Sequence, residues 1–142
     1  MIKKILFSHC KAHLEKKIEI LEQQKKSLQK DLTSEIKSSV GDKHETGRAM
    51  IQLELEKLGN QIHKIELNYQ RLNTIKDFKT SSIVSLGSII FTDKANYFLA
   101  VAADSCKINS KVFYCISSQS PIGELLIGNK IKVCLDLGFK VI

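Results

Sequence analysis

Long apolar runs are missing from this chain. The opening run Ile5-Leu6-Phe7 is broken by Ser8-His9-Cys10, too short for a signal-peptide core or a membrane span. The expectation is a cytoplasmic protein with no membrane contact. Paired cysteines are missing too: Cys10, Cys106, Cys115 and Cys134 show no C-x-x-C spacing. With neither a metal pattern nor a secreted context, they read as buried free thiols. His9 and His13 are four apart and share a helix face beside Cys10, yet a zinc site needs three or four convergent ligands. The neighbourhood in sequence supplies no others. Proline occurs once, so the one place where it stands, Ser120-Pro121, is informative.

What is present is an ordinary folded composition: 142 residues, 43% hydrophobic and 26% charged. Disorder is excluded. The formal charge of +7 is uneven, and most of the excess lies among the lysines between Lys3 and Lys37. A basic segment of this kind attracts polyanions such as RNA or DNA through phosphate contacts and counterion release. The same pattern, interleaved with Glu, also describes a solvated helix face.

Two helical stripes dominate the first half. Leu14, Ile18, Leu21, Leu28, Leu32 and Ile36 fall three, four or seven apart, a narrow stripe for one partner helix. Lys25 interrupts it. From Ile51 the steps alternate between four and three through Leu55, Leu58, Ile62, Ile65, Tyr69 and Leu72, the heptad pattern of a coiled coil. Gly59 inside this arm lowers helix propensity by about 1 kcal/mol and suggests a bend or a close approach.

Between the stripes lies a polar turn, Ser38 to Gly47, with Asp42 and Glu45 at its tip. A turn this short folds the second helix back on the first. Gly41 stops one helix, and Asp42 with Glu45 three residues on fits an N-cap and capping box for the next. Residues 1–79 therefore read as an antiparallel helical coiled-coil hairpin with an acidic tip at 41–46.

At Lys79-Thr80-Ser81-Ser82 the period changes from helical to strand-like, which places the boundary of a β-rich domain at 80–142. Strands are expected at Ser88–Thr92, Tyr97–Ala102, Val112–Ile116, Ile131–Leu135 and Phe139–Ile142, with a hairpin turn over Asp93–Asn96. Ser120 as N-cap and Pro121 at the first helical position start a short helix over Ile122–Ile127 that Gly128 stops. The fold class is α+β. A module of about 60 residues sits near the lower limit for an independent core, so it should lean on the helices or on a partner.

The order Ile116-Ser117-x-x-Ser120-Pro121-x-Gly123-x-x-Leu126-x-Gly128 resembles the signature of the C-terminal domain of the bacterial Gre transcript-cleavage factors. Leu86-Gly87-Ser88 is similar to the start of that domain. The resemblance implies a small FKBP-like β-rich domain behind the hairpin, and an accessory factor of RNA polymerase. In that family the C-terminal domain docks at the entrance of the secondary channel while the hairpin enters it. The resemblance implies that Ser117, Ser120, Pro121 and Gly123 are partner-binding residues.

The family tip carries Gly-Asp-x-x-Glu, and Gly41-Asp42-Lys43-His44-Glu45 has that spacing. The resemblance implies that Asp42 and Glu45 help hold the second Mg²⁺ of the polymerase, so that backtracked RNA is cleaved. Carboxylates suit the task. Mg²⁺ is a hard ion with oxygen ligands, and a two-metal site stabilises the attacking and leaving oxygens of an in-line displacement. No cofactor is expected in the free protein, a monomer is the expected state, and nascent RNA is a further partner for the basic helices.

This sequence departs from the family at the tip. Lys43 and His44 stand between the acids where uncharged residues are usual, and Thr46, Gly47 and Arg48 follow Glu45. A cation about 4 to 6 Å from the pair weakens metal affinity by about 1 kcal/mol or more at moderate dielectric, and an imidazole flanked by two carboxylates holds its proton more readily than a free one. Lys43 and His44 are thus tip-modulating residues of a divergent member. Two other readings stay open: a noncatalytic channel regulator or coiled-coil interaction protein of the same shape, and a prolyl isomerase suggested by the FKBP-like fold. Against the last, no aromatic-lined pocket assembles from Phe91, Tyr97, Phe98, Phe113 and Tyr114, which read as core.

Overall fold

The computed structural model describes residues 2–37, 42–75, 83–92, 94–128 and 139–141, with backbone alone for 35–37, 42–45 and 139–141. Two long helices, α1 (Ile2–Lys37) and α2 (Asp42–Asn73), precede β1 (Ile89–Thr92), β2 (Asn96–Ala100), β3 (Cys106–Ile108), β4 (Lys111–Ser117), α3 (Pro121–Leu126) and β5 (Phe139–Val141). The molecule is α+β. The expected strand at Ile131–Leu135, residues 38–41 of the turn expected at Ser38–Gly47, the change of period at 79–82 and Asp93 lie outside the described residues, as does Cys134; residues 42–47 of that expected turn are helical, the first turns of α2.

The helices form where the stripes demand them. Along α2, Ile51, Leu55, Leu58, Ile62, Ile65, Tyr69 and Leu72 are each half-buried or buried, while most of the positions between them are exposed. Leu14, Ile18, Leu21, Leu28 and Leu32 of α1 are covered in the same way. Lys25 is itself half-buried, as its aliphatic stem can cover an apolar seam while the ammonium stays in water. A Cβ on Gly59 would meet nothing within 4 Å, so close approach is not the reason for a glycine there.

The chain divides into two compact units, residues 15–67 and residues 1–14 with 68–142. The division runs through both helices. Its physical reason is burial: Leu6, Cys10, Leu72 and Ile75, all from helix ends or just beyond, are buried as deeply as the sheet residues of the same unit. The small β module thus completes its core with the helix ends.

The sheet has the order β3-β4-β2-β1-β5. All its pairings are antiparallel except β2 with β4, which run parallel from Asn96↔Phe113 to Ala100↔Ser117. Side chains alternate between the two faces. On one face Ile90, Leu99 and their neighbour Val84 pack with Leu126 of α3, joined by half-buried Tyr97, Ile116 and Ile122. The other face carries Ile89, Phe98, Phe113 and Cys115, all buried, with Phe91 edge-on to Phe113 at 5.9 Å between centroids. Tyr114 is exposed, so it is not core.

The strand β3 is absent from the sequence reading, and its signal was a turn. Asn109 and Ser110 both have positive φ, 50° and 67°, and Ile108 pairs with Lys111 across them. Two consecutive left-handed residues make the tight hairpin that matches strand twist. Asparagine tolerates that conformation better than most residues, and with only three residues in β3 no alternation was long enough to be seen.

Candidate functional site

The acidic pair expected at the tip lies in the first turn of α2. The helix begins at Asp42, which makes Asp42 its first residue; Glu45 follows in the same turn, with Lys43 and His44 between. Acidic residues at a helix start are favoured by the unpaired N–H groups and the positive end of the helix dipole. From Asp42 to Leu67 the helix extends about 38 Å at the usual rise per residue.

Beyond that first turn, residues 15–67 carry exposed cations. Lys16, Lys17, Lys26 and Lys30 on α1 and Lys57 and Lys64 on α2 are all open to solvent. Lys17, Ile20 and Leu21 of α1 line one shallow groove together with Gln61, Lys64 and Ile65 of α2. This shared groove sets the two helices side by side.

The segment Ser117–Gly128 is built as a tight knot. The Ser120 hydroxyl donates to the Ser117 carbonyl at 2.6 Å and accepts from the Gly123 N–H at 3.1 Å, so Ser120 caps α3 as expected. A Cβ on Gly123 would overlap the Ser117 carbonyl oxygen. Only glycine lets α3 begin that close to β4. Leu126 is fully buried, and Gly128, at φ 81°, donates its N–H to the Val84 carbonyl at 2.8 Å. Glycine suits this left-handed end of a helix. Ser117, Ser120, Pro121 and Gly123 are therefore brought together, with their polar groups turned on one another. Outward the knot presents Gln119, Pro121, Glu124 and Leu125.

A comparable closure occurs at Gly87. Its φ is 93°, its N–H donates to the Leu99 carbonyl, and a Cβ would stand 2.8 Å from Ile75 Cγ2. Leu86-Gly87-Ser88 is thus the point where the chain after α2 meets the sheet.

On α1, His9 and His13 both reach Asp104, the first through its main-chain carbonyl at 2.8 Å and the second through its carboxylate at 3.5 Å. Among the described residues no group of three or more His, Cys, Asp or Glu is arranged to hold a metal ion, and no helix is long and apolar enough to cross a membrane.

No family model, curated protein or solved structure matches this chain.

Proposed function

We propose that this chain is a Gre-like transcription elongation factor, an accessory protein that is not an enzyme by itself. In this reading α1 and α2 form an antiparallel coiled-coil hairpin that enters the secondary channel of RNA polymerase. Asp42 and Glu45 at its tip complete the Mg²⁺ site that cleaves backtracked RNA. The β domain is FKBP-like and docks at the channel entrance through the outward residues of the Ser117–Gly123 knot.

One observation carries the reading: the order and placement of the elements around the two carboxylates. A 36-residue helix and a 32-residue helix are separated by four residues of sequence, the second opening on Asp42, and the sheet that follows carries the knot at the family's Ser-Pro-x-Gly spacing. The groove shared by Lys17, Leu21, Lys64 and Ile65 supports helices that run side by side. Carboxylates at the far end of a helical pair would be placed to supply oxygen ligands to a hard divalent ion bound elsewhere.

A second reading is favoured by Lys43 and His44. Positive charge between the two acids lowers their attraction for Mg²⁺, which suits a regulator that fills the channel and does not stimulate cleavage. The deciding experiment uses a stalled, backtracked complex of the cognate RNA polymerase. Copurification together with RNA cleavage that is lost in Asp42→Asn and Glu45→Gln supports the factor, while binding with no cleavage supports the regulator. Absence of any binding removes both.

A further inference from the structure

Three of the four cysteines converge in the unit that joins the start of α1 to the sheet. Cys10 lies between His9 and His13 on α1, and both histidines are fastened to Asp104. The preceding residue, Ala103, donates its N–H to the carbonyl of Cys115 at 3.4 Å. These anchors tie the stretch of α1 around Cys10 to the loop that is bonded to β4 at Cys115; both thiols are buried, and hydrogen bonding between them is the largest influence on the ionisation of each. Cys106 pairs with Phe113 across β3 and β4, which puts it diagonally across the same face from Cys115. The proposed polymerase chemistry uses none of these groups.

We propose that Cys10 and Cys115 are a redox-active pair that forms a disulfide when the protein meets a hydroperoxide, joining the first turns of α1 covalently to β4. Cys106 is the most open of the three thiols, and within the buried pair Cys115 is the less enclosed. Cys115 keeps 6% of its surface and Cys10 none. Hydrogen bonding from Cys10 also favours the Cys115 thiolate against the opposing effects of burial and the Asp104 charge, and the thiolate is the nucleophilic form.

The Cys115 thiolate attacks the peroxide, the O–O bond breaks, and the sulfur becomes a sulfenic acid as the alcohol or water departs. Cys10 then attacks that sulfur, its proton leaves with the hydroxyl group as water, and the S–S bond closes. Two thiols are oxidised, one peroxide is reduced to an alcohol and one water forms. Reduction by a small dithiol restores both thiols.

The full chain, reduced and then exposed to hydrogen peroxide, should fall from four titratable thiols to two. Digestion without reduction should yield a peptide that links Cys10 to Cys115. Cys106→Ser and Cys134→Ser should keep that peptide. In Cys10→Ser combined with Cys106→Ser the sulfenic acid has no neighbouring thiol and should be trapped at Cys115 by dimedone; Cys10→Ala in place of Cys10→Ser gives the same result if serine disturbs the core. The cross-link should also raise the midpoint of thermal unfolding, on the order of 10 °C for a loop this long. Four free thiols after a several-fold excess of peroxide would overturn the proposal, and so would a linked peptide that contains Cys106 or Cys134 in place of either member.

Discussion

Gly123 approaches the carbonyl oxygen of Ser117 so closely that no other residue fits without moving the chain. The contact ties the first turn of α3 to the end of β4, which explains why a glycine stands three residues after the capping Ser120. Gly123→Ala should therefore destabilise the folded protein by about 1 to 3 kcal/mol, the usual cost of forcing extra volume into a packed site. Urea unfolding checks it, and an unchanged midpoint would show that the knot relaxes freely.

Ser120→Ala removes both an acceptor for the Gly123 N–H and a donor to Ser117. A loss of about 1 kcal/mol is expected. Because only a hydroxyl can both accept from Gly123 and donate to Ser117, Ser120→Thr should restore most of the stability and Ser120→Asp, which cannot donate, less of it.

Gly59→Ala should act in the opposite direction. The space is open on that side of α2, and alanine exceeds glycine in helix propensity by about 0.8 to 1 kcal/mol. Chemical denaturation of the variant should show a gain of this size, and destabilisation would mean that the glycine serves a bend.

The thiol pair sets a pH dependence whose sign follows from its two directions. Hydrogen bonding to Cys115, then burial and the neighbouring Cys115 and Cys106, push Cys10 up, so its contribution is complete below the unfolded thiol pKa of about 8.5 and declines as pH rises further. Burial, then Cys115, shifts Cys106 the same way. Cys115 is held down chiefly by the hydrogen bond from Cys10, so its contribution is complete above about 8.5 and is lost as pH falls through its folded value. Under reducing conditions stability should climb toward that pH and fall beyond it. Urea midpoints between pH 7 and 10 test the profile, and Cys10→Ser should flatten it.

At the tip, removing single charges separates the two functional readings. If Lys43 restrains the acidic pair, Lys43→Ala should raise transcript cleavage while Asp42→Asn and Glu45→Gln reduce it by roughly 10- to 100-fold, the range for groups that tune a metal site. Cleavage assays on backtracked complexes at two Mg²⁺ concentrations would read the effect. No change in any of the three variants speaks for a regulator.

Local chemistry alone determined a large part of this protein. The heptad of Ile51 to Leu72, the Ser120 cap, the glycine stop at Gly128 and the strands at Ile89 and Tyr97 were legible because each is governed by residues within a few positions of one another. Only the tertiary structure decided that β2 runs parallel to β4, that a three-residue strand at Cys106 lies at the edge, and that Leu6, Cys10 and Leu72 share the burial of the sheet residues. Those facts depend on pairings such as His9 with Asp104, separated by 95 positions. No period in the sequence encodes such a pairing, because it arises when two surfaces bury each other and leave their polar edges a single way to be satisfied.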